Sequence, residues 1–324
     1  MNIQTAVIAK GIRNKFNLIL PVALFVLFTC CGNNSNTADS ESTDPNVVEI
    51  TAVGLQFEAP DSIPSGWTTV RLNNSTEMIH FALFQKFPEG LGLEDHQEEV
   101  APVFQNIMND INGKDPAEPD AGFAPPEWYS DVQLMGGPGL VSAGGIAETT
   151  LYLEPGTYLV ECYVKTNGIF HSYNPSPQVY GMAVEITVTE DSTSANAPEP
   201  TASVNISSEN GIQVDGDLSA GSHIVEVNFD DQSTYENFVG HDVHLFKVTD
   251  ETDLDAVSEW MNWAIPNGLG TPAPAEFIGG ANDMPEGSTT YIHVNLEPGE
   301  YAWIAEVPNP AEKDMLKTFT VSSE

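Results

Sequence analysis

Leu153-Glu154-Pro155-Gly156-Thr157-Tyr158 returns as Leu296-Glu297-Pro298-Gly299-Glu300-Tyr301, and the landmarks around the two copies keep the same order. Upstream, Ile79-His80-Phe81 matches Val243-His244-Leu245, and Ser65-Gly66 matches Ala220-Gly221. Downstream, Met182 to Val188 matches Met315 to Val321. Ordered self-similarity of this kind marks a tandem duplication. Glu-Pro-Gly is a turn: proline presets φ and glycine supplies the positive φ that the following strand needs. Trp67 to Leu72, Ile79 to Phe84 and Tyr158 to Val164 are short β-branched and aromatic runs bounded by Gly, Pro and Asn, which predicts strands. Each copy therefore reads as an antiparallel sandwich.

One helix interrupts each copy. Val100, Val103, Phe104, Ile107, Met108 and Ile111 form a single stripe at helical spacing, as do Leu254, Val257, Trp260, Met261 and Ala264. Thr252 and Asp255 have the spacing of a capping box. A proline-rich segment ending in an acid and an aromatic follows each helix, Glu127-Trp128 in one copy and Glu276-Phe277 in the other. Helix and segment together are expected to cap each sandwich and to pack between the two halves.

The 324 residues carry 47 Asp and Glu against 10 Lys and Arg, a net charge of -37. Such a surface repels phosphate backbones and argues against nucleic-acid binding. Three of the bases, Lys10, Arg13 and Lys15, precede the apolar run Phe16 to Thr29, which ends at Cys30-Cys31. A basic start and a short apolar middle predict a secretory signal, and a Cys at its end resembles a bacterial lipoprotein signal. The expected organisation is a signal peptide over 1–30, a polar tether over 31–45, a first domain over 46–189, a Ser/Thr/Ala/Pro linker over 190–205 and a second domain over 206–324. Cys30 or Cys31 is the expected lipidation site, anchoring the exported protein to the outer membrane, on its periplasmic or cell-surface face.

A Gly-initiated strand, a His in an Ile-His-Phe setting, a Pro-Gly-Thr-Tyr turn into a Cys-bearing strand and then a Gly-Met strand resemble the cupredoxins. The resemblance implies an all-β chain of two tandem cupredoxin-like Greek-key sandwiches, each with a helical insertion. It also implies, for the first domain, copper ligands in the order His, Cys, His, Met, which fall on His80, Cys162, His171 and Met182. A thiolate and two imidazoles with a weak axial thioether form an electron-transfer copper site. Eight residues separate Cys162 from His171 and ten separate His171 from Met182, longer than the short gaps of that family. Aligned on Glu-Pro-Gly, Cys162 falls opposite Ala305, and the segment holding His171 has no counterpart in the second copy.

Two readings stay open at the level of sequence. In one, Cys162 is a small core residue, and the chain is a non-enzymatic binding module for an unknown protein or small ligand. In the other, it is a copper-binding electron-transfer or carrier protein; a structural spacer is a third alternative. The loop from Lys165 to Gly181 discriminates: copper requires that it bring His171 beside Cys162 and His80, whereas a contact loop would project Tyr173, Tyr180, Pro175 and Pro177 outward. His223, His241, His244 and His293 are expected to be scattered structural histidines. No G-x-S-x-G and no H-E-x-x-H occurs, so catalysis is not expected.

Overall fold

The computed structural model describes residues 47–173, 181–236 and 240–322. The signal peptide, the tether, Cys30 and Cys31 lie outside the described residues, as do Pro175, Pro177 and Tyr180. The chain forms two β-sandwiches, each with a helical insertion. In the first, the long strand Ser62–Asn74 belongs to both sheets. Its start runs beside Ala183–Ser192, and its remainder pairs with Val47–Val53 and Ile146–Leu153. The strand changes sheets at Gly66, whose φ of 108° an L side chain rarely adopts; a Cβ there would sit 2.7 Å from the Thr193 hydroxyl. Gly156–Glu161 lies between Ala183–Ser192 and Leu83–Lys86 on the other face. Ile50, Leu72, Phe81, Leu151, Val160 and Ile186 fill the space between the sheets.

The second sandwich repeats this plan. Ala202–Ser207, Gly211–Gly216, Gly221–Phe229 and Thr289–Leu296 form one sheet. Val243–Val248, Glu276–Ala281, Gly299–Ile304 and Leu316–Val321 form the other. The repeated hexapeptide has a shared job. Tyr158 donates its hydroxyl to the carbonyl of Glu154 at 2.9 Å, and Tyr301 donates to Glu297 at 3.0 Å. Each tyrosine thus closes the turn that precedes its own strand.

The halves are joined by hydrogen-bonded backbone. Tyr291, Ile292 and His293 pair with Thr150, Thr149 and Glu148, so one sheet runs through both halves. Gly139 donates its N–H to Gly280 at 3.0 Å. A Cβ on Gly139 would meet Gly280 backbone at 2.7 Å, and one on Gly280 would meet the Val243 carbonyl at 2.3 Å. This close approach explains the glycine-rich run Gly136 to Gly139. Trp260, Met261, Trp263 and Phe277 of the second half join the apolar core of the first.

The helix Ala101–Ile111 buries Val103 and Met108 as its stripe predicts, and Val100 is buried in the π-helical turn before it. The second helix, Leu254–Trp260, is capped differently from the expectation. Asp253 is the cap, accepting from the N–H groups of Asp255 and Ala256, while Thr252 serves the preceding turn by accepting from Thr249 N–H. The two acid–aromatic pairs also differ. Trp128 lies on a 3-10 turn, donating to Glu99 and packing against Phe87, whereas Phe277 is a core residue of the strand Glu276–Ala281. The irregular segment between halves is shorter than 190–205, because strands extend to Ser192 and resume at Ala202.

Candidate metal centre

His80, Cys162 and His171 come together in the first sandwich, each with a ligand atom within 4.8 Å of the others and each fully buried. Cys162 follows the strand Gly156–Glu161 and is pinned there because its N–H donates to the Met182 carbonyl at 2.9 Å. His80 is fixed by an isolated backbone bridge to Val141. Its Nδ1 lies 3.6 Å from the Cys162 sulfur.

The hairpin that supplies His171 is stapled by other parts of the fold. Lys165–Thr166 and Ile169–Phe170 pair around Asn167-Gly168, both at positive φ, as a two-residue hairpin requires. From the helix Ala101–Ile111, Gln105 accepts the Phe170 N–H and donates to the Gly168 carbonyl. From the second half, the carbonyls of Trp263 and Ile265 accept from the Lys165 ammonium. So the ten residues by which the first copy exceeds the second between Cys162 and Met182 are used to carry His171 inward. The rings of His80 and His171 then stand 5.1 Å apart.

The hydrogen bonds assign the tautomer of His80 and are compatible with the same one for His171. The Thr76 hydroxyl donates to the side-chain oxygen of Asn74, at 2.8 Å, so it accepts from His80 Nε2, at 2.9 Å. The Thr166 hydroxyl is 2.9 Å from His171 Nε2, and the acceptors Thr271 Oγ1 and Met78 Sδ are at hand for its own proton. A proton on His80 Nε2 leaves its Nδ1 lone pair toward the Cys162 sulfur. His171 Nδ1 has no hydrogen-bond partner although it is buried.

Electrostatics keep the two rings neutral. Burial lowers the pKa of His80 to about 4. Burial, reinforced by the neighbouring His80, lowers that of His171 to about 3. Burial pushes the Cys162 thiol up to about 12, opposed by the N–H groups of Phe81 and Val164 that bond to the sulfur. A buried thiolate here therefore needs a positive charge beside it. Met182 is fully buried and donates its N–H to the His171 carbonyl, which places it next to both residues in the backbone network. A soft thiolate with two neutral imidazoles and a buried, partnerless nitrogen is a donor set that fits copper.

The matching place in the second half is chemically different. Asp242, His244 and Glu306 cluster there, also buried. His244 donates from Nε2 to Asp242 at 2.5 Å, and its Nδ1 accepts the Leu140 N–H at 3.1 Å, so neither ring nitrogen is free. Ala305 stands where the thiol would be. The remaining histidines are held structurally: His241 between Asp231 and Tyr235, His223 by the Ser219 carbonyl, His293 by Thr150.

Beside the metal centre, between the halves, is a cavity of about 720 Å³. Glu161 and Tyr163, the residues flanking Cys162, both line it, together with His96, Asp283 and Glu306. Sequence reasoning missed this feature. Its one signal in the sequence is that Glu161 and Tyr163 alternate with Cys162, which turns them to the opposite face of a strand.

No family model matches the chain, and no curated protein matches it. Among solved structures, auracyanin A, a blue copper protein from Chloroflexus aurantiacus, is 19% identical over 44% of this chain and 98% of its own, with a TM-score of 0.25. A multicopper oxidase is 11% identical over 85% of this chain and 88% of its own (TM-score 0.21). Copper nitrite reductase from Nitrosomonas europaea is 11% identical over 86% of this chain and 94% of its own (TM-score 0.22). Two of these three are enzymes, which runs against the expectation of a chain without catalysis. The two β-sandwiches with helical insertions agree with the fold expected from the sequence.

Proposed function

We propose that the first sandwich holds one copper ion through His80 Nδ1, Cys162 Sγ and His171 Nδ1, with Met182 as a weak fourth ligand, and that the protein transfers electrons. The observation that carries this reading is the buried cluster of a thiol with two imidazoles, each ring held at Nε2 by a threonine hydroxyl, with His80 Nδ1 beside the sulfur and His171 Nδ1 left without a hydrogen-bond partner. A structural cysteine in an apolar core has no need of two oriented imidazoles. Copper in such a donor set cycles between its cuprous and cupric states. The chain's own contribution is to fix the ligands beforehand, so that little rearranges when the charge changes. Full burial of all three ligand residues favours a resident ion over a carried one, because a carrier must release its cargo to solvent or to a partner. We further propose that the protein is exported and held at the outer membrane by a lipid on Cys30 or Cys31, where redox partners would reach it.

The test is titration of the chain with Cu(II) beside a Cys162→Ser variant, following visible absorption and bound copper per chain. One copper per chain with an intense thiolate-to-copper band, lost in the variant, is expected. Colourless binding that the variant leaves unchanged would overturn the assignment.

A further inference from the structure

We propose that the cavity between the two halves is a binding site for a small organic cation bearing an ammonium group. Its walls contain four carboxyl groups, Glu127, Glu161, Asp283 and Glu306, and, among the described residues, neither lysine nor arginine. The one histidine, His96, has a pKa lowered by burial to about 4 and is neutral.

The acids alone would not make a site, but three buried acceptor atoms in the same walls are unpaired. Gln85 Oε1, Asp283 Oδ1 and Glu306 Oε1 have no hydrogen-bond partner, and their residues are 0%, 7% and 3% exposed. The Gln85 oxygen only accepts, and the two carboxyl groups accept fully once ionised, so a cationic donor is the partner that suits all three. Leaving such atoms unpaired in a protein interior is costly, and an ammonium supplies three donors with a positive charge.

The shape and the remaining lining favour an organic cation over a metal ion. Phe104, Tyr163, Phe170 and Trp263 face the cavity, and aromatic faces attract alkylammonium groups. A volume of about 720 Å³ is in the range of small-molecule sites and far exceeds a bare ion. The tightest acidic group nearby, Asp242 with His244 and Glu306, is already committed: Asp242 accepts from His244 Nε2 and from the Glu306 N–H. Without a ligand, burial and the charge of Asp242 hold Asp283 protonated up to about 8, and Glu306 well above its usual range. The empty site thus avoids a cluster of buried negative charge.

The inference does not depend on copper, and its test is run on the metal-free chain. The full chain is titrated calorimetrically in physiological salt with 1,4-diaminobutane and with n-butylammonium, using 1,4-butanediol as a neutral analogue and calcium and zinc chlorides as metal probes. Saturable binding of at least one amine at one per chain is expected, with no response to the diol. Glu306→Gln and Asp283→Asn, which keep shape and remove charge, should each weaken binding by tenfold or more. Three results would overturn the proposal: no saturable binding by either amine, the parent's affinity retained in both variants, or displacement of the amine by one stoichiometric calcium or zinc.

Discussion

His80 and His244 occupy matching positions in the two halves, yet they are wired in opposite senses. His80 turns an unprotonated nitrogen toward a thiol, while His244 spends one nitrogen on Asp242 and the other on a backbone N–H. The duplication therefore kept a histidine in both halves but kept an available imidazole in only one.

That contrast makes a grafting experiment informative. Ala305→Cys restores the missing thiol in the second half without providing a free imidazole. The variant should still bind one copper per chain, with the same absorption spectrum as the parent. A second coloured copper site would show that Asp242 and Leu140 do not hold His244 as described.

Thr166 should matter to the metal although it does not touch it. Its hydroxyl holds His171 by a hydrogen bond at Nε2, and outer contacts of this kind typically carry about 10- to 100-fold in metal affinity. Thr166→Val should weaken copper binding within that range while Thr166→Ser retains it. Equal losses in both variants would point to packing instead.

The two halves should unfold together. Lys165 reaches from the first half to carbonyls of Trp263 and Ile265, and Trp263 packs against Phe104 and Phe170 at 6.1 and 5.8 Å. Calorimetry of the tandem should show one transition, and either half expressed alone should melt at a lower temperature. Two transitions, or halves as stable as the whole, would contradict the interface.

Much of this was legible in the sequence. The repeated Leu-Glu-Pro-Gly-x-Tyr announced two equivalent sandwiches because turn chemistry is local, and Asn167-Gly168 announced the hairpin for the same reason. The ligand order His80, Cys162, His171, Met182 followed from resemblance, while the long gap around His171 hid how the loop folds back. That return depends on Gln105 and on carbonyls about a hundred residues away, which no local pattern encodes. The cavity acids carried no signal apart from the overall acidity. Glu161 is buried and Tyr163 half-buried because the second half covers the face they would otherwise turn to water.

Asp283 gives a pH signature. Burial, then the charge of Asp242, raises its pKa from 3.8 to about 8, with Glu306 and Tyr163 as further titratable neighbours. Between those values the folded state binds more protons than the unfolded one, so this group's contribution to stability falls as pH rises. Asp283→Asn lacks that titration. Relative to the parent, the variant should gain stability from about pH 4 to about pH 8 and then level off, as read by urea denaturation across that range. Terms from groups that do not feel the Asp283 charge, such as His96, cancel in the comparison, whereas Glu306 and Tyr163 contribute to the difference. A difference independent of pH would refute the buried, protonated Asp283.

The ladder between Tyr291–His293 and Glu148–Thr150 restricts how the molecule can move. A jaw-like parting of the halves would tear a row of backbone hydrogen bonds, so the cavity does not gain entry by a hinge. Its exposed lining residues, Glu127, Ser130 and Thr234, mark the mouth instead. Access to the cavity then lies along that rim and not through a parting of the halves, and His80, Cys162 and His171 keep their arrangement behind the continuous sheet.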